Sequence, residues 1–341
     1  MRKSVLALLP VLGLLAACSG SDSYKVKMTM PEELVGQSAF IVDAATGAKL
    51  DSVAISAADV VFSGKVSEPV LAMVTVGGYP YAQFVLEPGE IVMTEENFAT
   101  GTPSNDAFAR FNDDIASLVD SLNAATSEEE QQAIYVDRIV PVTVDYIIAN
   151  PESPFALPVF GQVAMYLDAD QIERITAAVP SLAADPDVQR TLDYARAKAA
   201  TSAGSAYVDF SVDYDGKTQT LSEYIVPGHW TIVDFWASWC GPCRREIPGI
   251  KALYDKYHSQ GLNVVGVAVR DEPAKTLEAM ESDGVTWPVI LNAGKEVLDA
   301  YGIMGIPCIM LVNPDGVIVA RDLFGATLES AVTEAMATSG K

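Results

Sequence analysis

The chain is poor in the residues that build metal centres and disulfide scaffolds. Among its 341 residues there are only six such side chains: His229, His258, Cys18, Cys240, Cys243 and Cys308. Neither histidine has metal-ligand spacing to a cysteine, so no zinc site of the usual cysteine and histidine type is visible. Four cysteines are too few for a disulfide scaffold, and the fold must therefore depend on an apolar core.

Basic residues are also scarce. Lysine and arginine number 22 against 45 aspartates and glutamates, which gives a formal net charge of −23. Such a charge argues against nucleic acid and against an anionic membrane surface as electrostatic partners. Half of the residues are apolar, and the length predicts a globular chain of two or three domains.

The first 17 residues are predicted to be a targeting segment. Arg2 and Lys3 precede an apolar stretch that is too short and too interrupted for a spanning helix. The end of this stretch, Leu-Ala-Ala-Cys at 15–18, resembles the bacterial lipobox, which implies lipidation of Cys18. An ordinary signal peptide followed by a chance cysteine is the alternative. Residues 18–23 then form a tether, and Ser19 is typical of lipoproteins sorted to the outer membrane of Gram-negative bacteria.

Three domains are predicted beyond the tether. Short alternating runs over 24–101 indicate an all-β domain, a sandwich or open barrel. Helical periodicity dominates 102–203, a helical connector in which Ser127 is an expected N-cap and Pro141 an expected kink or break. Strands and helices alternate over 204–341, which predicts an α/β domain with a mixed sheet. Its expected elements include strands near 207–212, 231–236 and 317–321 and a helix over 240–260. The fold class is therefore multidomain.

One pentapeptide carries the clearest chemistry, Trp239-Cys240-Gly241-Pro242-Cys243. It lies between an apolar run typical of a strand and a helical pattern. A helix N-terminus offers free N–H groups and the positive end of the helix dipole, which stabilise a thiolate at Cys240. Cys243 lies one turn further on the same face, so a disulfide between the two sulfurs is predicted. Cys-x-x-Cys is also half a zinc site, but no second pair completes it.

Residues around the pair have predicted supporting roles. Gly241 and Pro242 suit the turn and the first helical turn, and Trp239 either shields the nucleophile or is a core aromatic. Asp234 stands in an apolar strand, where burial would raise its pKa and allow it to take the proton of Cys243. A solvated carboxylate at the strand end is the alternative.

The run VDFWASWCGPCRREIP resembles the thioredoxin active site. Together with YGIMGIPCIMLVNPDGVI it is similar to the TlpA/ResA-like branch, the extracytoplasmic thiol–disulfide oxidoreductases, over about 135 residues. The resemblance implies a thioredoxin fold for 204–341 and a cis-proline loop at Ile306-Pro307 that binds substrate. It also implies a thiol-tuning role for Glu246, for which a surface acid is the alternative. The ordered motifs AATGAKLDSVAI, FSGKV, FVLEPGEI and GTPSND make residues 24–101 resemble the domain of unknown function that precedes thioredoxin-like domains in Gram-negative lipoproteins.

Three further residues have open interpretations. Arg244 and Arg245 either lower the pKa of the thiol or are solvated. Cys308 is either a third redox thiol or a small buried strand residue that points away from the site.

The expected function is a membrane-anchored periplasmic oxidoreductase that reduces protein disulfides, and the ResA-like resemblance implies a role in cytochrome c maturation. It needs no cofactor beyond the Cys240–Cys243 disulfide and no metal. Its expected partners are disulfide-containing extracytoplasmic proteins, a membrane thiol electron donor and, through Cys18, the lipid bilayer. Oxidation of targets would use the same residues. The alternatives are a thiol peroxidase, whose Pro-x-x-x-Thr-x-x-Cys signature is absent around Cys240, and a tethered binding protein whose β domain does the main work.

Overall fold

The computed structural model describes residues 22–95 and 98–338, so the predicted signal segment and Cys18 lie outside the described residues. The described chain forms two compact units, one ending at Gln162 and the other beginning at Val163. Within the described ranges, no helix is long and apolar enough to cross a membrane.

The first unit begins with eight strands followed by helices. The strands are β1 (Ser23–Thr29), β2 (Ser38–Asp43), β3 (Lys49–Ala54), β4 (Asp59–Lys65), β5 (Val70–Val76), β6 (Tyr79–Leu86), β7 (Gly89–Met93) and β8 (Ala99–Thr100). The helices are α1 (Pro103–Ala124), α2 (Glu128–Ile134), α3 (Val140–Ala149) and α4 (Ala156–Val163), whose last residue lies in the second unit.

Two four-stranded sheets, ordered β4-β1-β7-β8 and β3-β2-β5-β6, make up the β region. Alternate residues such as Val26 and Ile91 of one sheet and Ile41 and Val74 of the other form a single buried core. The all-β prediction is confirmed, and the arrangement is that of a sandwich.

Two predicted features of the helical region are present. The Ser127 hydroxyl accepts a hydrogen bond from the Glu130 N–H at 3.2 Å and caps α2. A π-helical turn, Tyr135–Ile139, joins α2 to α3 just before Pro141. The wider turn accommodates a proline that would otherwise clash with the preceding helical turn.

The second unit contains the remaining elements. They are α5 (Ala169–Ala178), α6 (Pro180–Ala183), α7 (Pro186–Ala200), β9 (Ser211–Tyr214), β10 (Lys217–Thr220), β11 (Trp230–Trp236), α8 (Gly241–Tyr257), β12 (Leu262–Val269), α9 (Pro273–Asp283), β13 (Val289–Ala293), α10 (Lys295–Tyr301), β14 (Cys308–Val312), β15 (Ile318–Ala320) and α11 (Gly325–Thr338). Helices of the predicted connector thus occur in both units, and the boundaries 24–101, 102–203 and 204–341 stay predictions.

A five-stranded sheet, ordered β13-β12-β11-β14-β15, organises this unit. Strands β11, β12 and β13 run parallel, and β14 and β15 are antiparallel to their neighbours. Strand β11 lies at the centre, and its run of β-branched and aromatic residues is almost entirely buried. The thioredoxin-like α/β prediction for this region is confirmed.

One strand differs from its predicted position. The segment Tyr207–Val212 was expected to be a strand, but β9 begins only at Ser211. The Tyr301 hydroxyl donates to the Val208 carbonyl at 2.6 Å and accepts from the Val208 N–H at 3.1 Å. A side chain from α10 thus takes the backbone groups that a neighbouring strand would have used.

Candidate active site

Cys240 and Cys243 form a disulfide at the start of α8, with an S–S distance of 2.02 Å. Strand β11 ends four residues before Cys240, which is the N-cap of the helix. The Cys243 N–H points at the Cys240 sulfur, 3.2 Å away. The residues are 4% and 1% exposed. Both residues are thus buried, Cys240 slightly less so, and the Cys240 sulfur is the one that the helix N-terminus faces.

The loop before β14 lies against this sulfur. The Ile306–Pro307 peptide bond is cis, as the resemblance implied. The Ile306 carbonyl oxygen is 3.7 Å from Cys240 Sγ. Backbone groups of the loop are therefore placed where a polypeptide bonded to Cys240 would pass.

Asp234 is buried beneath the pair. Along β11 it alternates with its neighbours, so it shares a sheet face with Ile232 and Trp236, which pack in one cluster with both cysteines. Its residue exposure is 2%, and Oδ1 has no hydrogen-bond partner among the described residues. The solvated alternative is therefore wrong. Burial first, and then the negative charge of Glu246, raises the pKa of Asp234 to about 7.

A glycine of β12 lies opposite Asp234 in the sheet. Gly266 of β12 is the register partner of Asp234. A Cβ on Gly266 would stand 3.0 Å from Trp236 Nε1 and 3.0 Å from a methyl group of Val289. The absent side chain lets Trp236 and Val289 pack against the β12 backbone at this point.

Glu246 is fixed by a helix N-terminus. Its Oε2 accepts a hydrogen bond from the Gly325 N–H at 2.8 Å, where α11 begins. A carboxylate is favoured at that position by the helix dipole. Glu246 is thus held between α8 and α11, and its charge acts on the buried Asp234.

The two arginines after Cys243 differ. The Arg244 guanidinium forms a two-pronged ion pair with Asp283 of α9, at 2.6 and 2.7 Å. Its charge is largely engaged there, which weakens any effect on the thiols. Arg245 is exposed, consistent with the solvated alternative.

Trp239 is 61% exposed, so the core-aromatic alternative is wrong. Its indole N–H donates to the Arg270 carbonyl at 3.1 Å. This bond places the ring at the surface beside Cys240.

Asp271, which is not among the residues predicted from the sequence, anchors the loop before Cys240. Its carboxylate accepts bonds from the Ser238 N–H at 2.6 Å, the Ser238 hydroxyl at 2.9 Å and the Thr276 hydroxyl at 2.8 Å. A signal was available: β11 and β12 are parallel neighbours, so the residues that follow them meet at one sheet edge. An acid two residues after β12 thus lies near the loop after β11.

Cys308 points away from the disulfide. It pairs with Phe235 across the sheet and packs in a core that contains neither Cys240 nor Cys243. Burial first, and then Asp322, raises the pKa of its thiol to about 12. This setting favours the structural interpretation. In the part of the chain that the structure describes, no group of histidine, cysteine and carboxylate side chains could hold a metal ion.

Comparison with known proteins agrees with this geometry. Residues 203–321 match the family described as AhpC/TSA. The chain is 34% identical over 140 residues to the thiol-disulfide oxidoreductase ResA of Bacillus subtilis, covering 41% of this chain and 76% of that protein. Identity to ResA of Geobacillus thermodenitrificans is 32% over 120 residues, 35% of this chain and 68% of the relative. The solved thioredoxin domain of a thiol-disulfide oxidoreductase from Bacteroides vulgatus shares 31% identity, with a TM-score of 0.36, over 39% of this chain and 96% of that domain.

Proposed function

We propose that this chain, which belongs to the family of ResA-type thiol-disulfide oxidoreductases, reduces disulfide bonds of extracytoplasmic proteins through Cys240 and Cys243. The observation that carries the proposal is the unequal setting of the two sulfurs. Cys240 is at the helix N-terminus beside the Ile306 carbonyl, and Cys243 is nearly inaccessible behind it.

In the first step the reduced Cys240 attacks a substrate disulfide as a thiolate. The helix N-terminus and the Cys243 N–H stabilise that anion. A bond forms between Cys240 and one substrate sulfur, while the substrate S–S bond breaks. Its electron pair leaves on the second substrate sulfur, which takes a proton from water.

In the second step Cys243 resolves the mixed disulfide. Asp234 takes the proton of the Cys243 thiol, and a pKa of about 7 suits a group that gains and loses a proton near neutral pH. The Cys243 thiolate attacks the Cys240 sulfur, and the bond between Cys240 and the substrate breaks. The released substrate sulfur takes a proton, so the substrate leaves as a dithiol. Two electrons have passed to the substrate, and the enzyme holds the Cys240–Cys243 disulfide.

Substrate backbone would pair with Ile306, in the mode of a strand added to an exposed edge. Pro307 shapes that loop, and Trp239 covers one flank of the sulfur. Gly241 keeps the turn in front of Cys240 free of a side chain, and Pro242 begins the helix. Glu246 tunes the proton affinity of Asp234.

A thiol-carrying electron donor in the membrane must reduce the pair again, since no cofactor is required by the thiol exchange itself. Anchorage by a lipidated Cys18 would hold the enzyme near such a donor, on the periplasmic side of a membrane and by resemblance the outer one. Cytochrome c maturation is the pathway that the ResA resemblance suggests.

Replacement of Cys18 by alanine should move the protein from the membrane fraction to the soluble fraction and abolish labelling by an alkyne fatty acid.

The match to the AhpC/TSA family makes a thiol peroxidase the second candidate. The threonine of the peroxidase signature would stand three residues before Cys240, where the chain has Ala237, and its proline would stand at Val233. Consumption of hydrogen peroxide by the reduced protein at a rate comparable with insulin reduction would favour this candidate.

Insulin reduction with cysteine variants tests the proposed function. Wild-type protein and Cys308→Ser should precipitate reduced insulin chains in the presence of dithiothreitol, and Cys240→Ser should not. Cys243→Ser should retain the first step and accumulate mixed disulfides with target proteins. Full activity of Cys240→Ser would refute the mechanism, and partner capture that is independent of Cys240 would favour the tethered binding protein.

A further inference from the structure

A cavity opens directly beside the Ile306 loop. Its volume is about 250 Å3, below the roughly 300–1,000 Å3 of pockets that enclose whole drug-sized ligands. Its lining comes from the loop before Cys240, the end of β12, α10 and the segment before Pro307: Trp239, Val269, Arg270, Leu298, Ile303, Met304, Gly305 and Ile306. A cavity of this size suits one or two side chains of a polypeptide.

The cavity wall is apolar. Leu298 and Ile303 in its lining are buried, while Met304 is 45% exposed and Trp239 is largely exposed. The methionine and tryptophan surface beside the reactive sulfur is exposed to water. Covering it with an apolar group lowers the free energy. The cavity therefore favours an aliphatic or aromatic side chain of the substrate.

Arg270 adds a positive charge to this apolar site. Its backbone is held in the left-handed region, with φ of 49°. Its N–H donates to the Ala293 carbonyl at 3.2 Å, and its carbonyl accepts from the Trp239 indole. A non-glycine residue in this conformation costs free energy and is often found at functional sites.

The guanidinium of Arg270 is exposed, and no ion pair involves it among residues 22–95 and 98–338. Asp299 interacts with Arg270 electrostatically but forms no ion pair with it. Both carboxylate oxygens of Asp299 are bound by Lys295 Nζ, at 2.7 and 2.6 Å. The chain as a whole has a net charge of −23. Arg270 nevertheless offers an unpaired positive charge at the edge of the active-site cavity, where it can attract an anionic group.

We propose that this cavity is a specificity subsite for substrate segments that carry an apolar side chain and a carboxylate close to the attacked cysteine. The apolar side chain would enter between Met304 and Trp239, and the carboxylate would bind Arg270. Because successive residues of an extended chain rise about 3.3 Å and alternate in direction, both groups would lie within about three residues of the cysteine. The inference rests on the proposed function, since it assumes that a polypeptide is attacked by Cys240.

Peptides whose cysteine is activated as a 2-pyridyl disulfide test this subsite. The reduced full chain attacks the peptide sulfur through Cys240, the peptide–pyridyl S–S bond breaks, and pyridine-2-thione is released and measured by absorbance. Cys243 then displaces the peptide as a thiol. Four peptides differ only near the cysteine: leucine with glutamate, leucine with glutamine, alanine with glutamate, and alanine with glutamine.

Wild-type protein should prefer the glutamate peptide over the glutamine peptide in kcat/KM by about threefold to fivefold, the range of a partly exposed ion pair. It should also prefer leucine over alanine. Arg270→Gln should reduce the glutamate preference to about one, and Arg270→Glu should reverse it in favour of the glutamine peptide. Arg270→Asn repeats the test with a residue that tolerates the left-handed backbone.

Arg245→Gln is the matched control, because it removes an equal charge from the same surface outside the cavity. It should keep the wild-type glutamate preference. Equal rates of wild-type protein on the glutamate and glutamine peptides, or a preference that survives Arg270→Gln, would overturn the subsite. Failure of the proposed function is distinguishable, because then no peptide would release thione faster with wild type than with Cys240→Ser.

Discussion

Asp271 holds Ser238 through two hydrogen bonds at once, one to the backbone N–H and one to the hydroxyl, at 2.6 and 2.9 Å. Ser238 is two residues before Cys240, so this contact fixes the entry of the chain into the active site. The neighbouring bond from the Trp239 indole to the Arg270 carbonyl fixes the next residue. Consecutive residues after β12 thus position consecutive residues before the redox pair.

Loss of the Asp271 carboxylate should loosen this loop. We expect Asp271→Ala to lower the free energy of unfolding by about 2–3 kcal/mol, since hydrogen bonds to a charged group contribute about 1.5–3 kcal/mol. The insulin reduction rate should fall as well. Glu272→Gln, a change at the adjacent exposed acid, is the control and should stay within about 0.5 kcal/mol. Equal free energies of unfolding in urea for Asp271→Ala and Glu272→Gln would contradict the role of Asp271 in positioning the loop.

Asp234 should make stability depend on pH. Its pKa in the folded protein, about 7, lies above the ordinary value of about 3.9, so the folded state binds the proton more tightly. The stabilising contribution is therefore complete below about pH 4 and is lost as pH rises through about 7, with a total of up to about 4 kcal/mol.

The Asp234→Asn variant isolates that effect. In urea unfolding of the oxidised protein from pH 4 to 8, the variant should gain stability relative to wild type as pH rises. Subtracting the free energy of unfolding of the wild type from that of the variant at each pH cancels the contribution of the other acids, which both proteins share. A difference that is constant across this range would show that Asp234 titrates normally.

Glu246 should shift the same transition. Its charge is the second cause, after burial, of the raised pKa of Asp234. Glu246→Gln keeps an oxygen that can accept from the Gly325 N–H but removes the charge. The pH at which stability falls should therefore move downwards, while Glu246→Ala should also cost about 1 kcal/mol for the lost hydrogen bond. If the pH at which stability falls were the same in Glu246→Gln as in the wild type, the charge of Glu246 would not act on Asp234.

Strand β12 should tolerate no added methyl group at Gly266. Gly266→Ala would place a Cβ 3.0 Å from Trp236 Nε1 and from Val289, and overpacking of this kind costs about 1–3 kcal/mol. Gly249→Ala is the control, because that helical glycine has nothing within 4 Å of the added Cβ. It should stabilise the protein by about 0.5–1 kcal/mol. Chemical denaturation of both variants checks the contrast.

The parts of the site that the sequence predicted are those with local signals. Cys240, Pro242 and Cys243 form one turn, and Asp234 is conspicuous because it interrupts a buried strand. The cis bond before Pro307 came from resemblance to thioredoxins and not from local physics. In the fold, strand β11 and helix α8 were placed within a few residues because their periodicities are strong.

The parts that were missed depend on contacts between distant segments. Arg321, predicted only as the end of a strand, is half-buried and donates to Thr201 Oγ1 at 2.7 Å and to the Tyr301 carbonyl at 3.2 Å. Arg244 was weighed as a thiol-tuning group, but Asp283 of a different helix binds it. No pattern along the chain encodes which distant carbonyl or carboxylate an arginine meets.

The equilibrium reduction potential of the Cys240–Cys243 pair tests the central claim most directly. Oxidised and reduced protein would be equilibrated in thiol–disulfide buffers of defined potential, and the fraction of free thiol measured by alkylation and mass spectrometry. A reductase requires a value near about −270 mV, similar to thioredoxin, and that is the predicted result. A value near about −120 mV, typical of a strong disulfide oxidant, would contradict the assignment of this chain as a reductase.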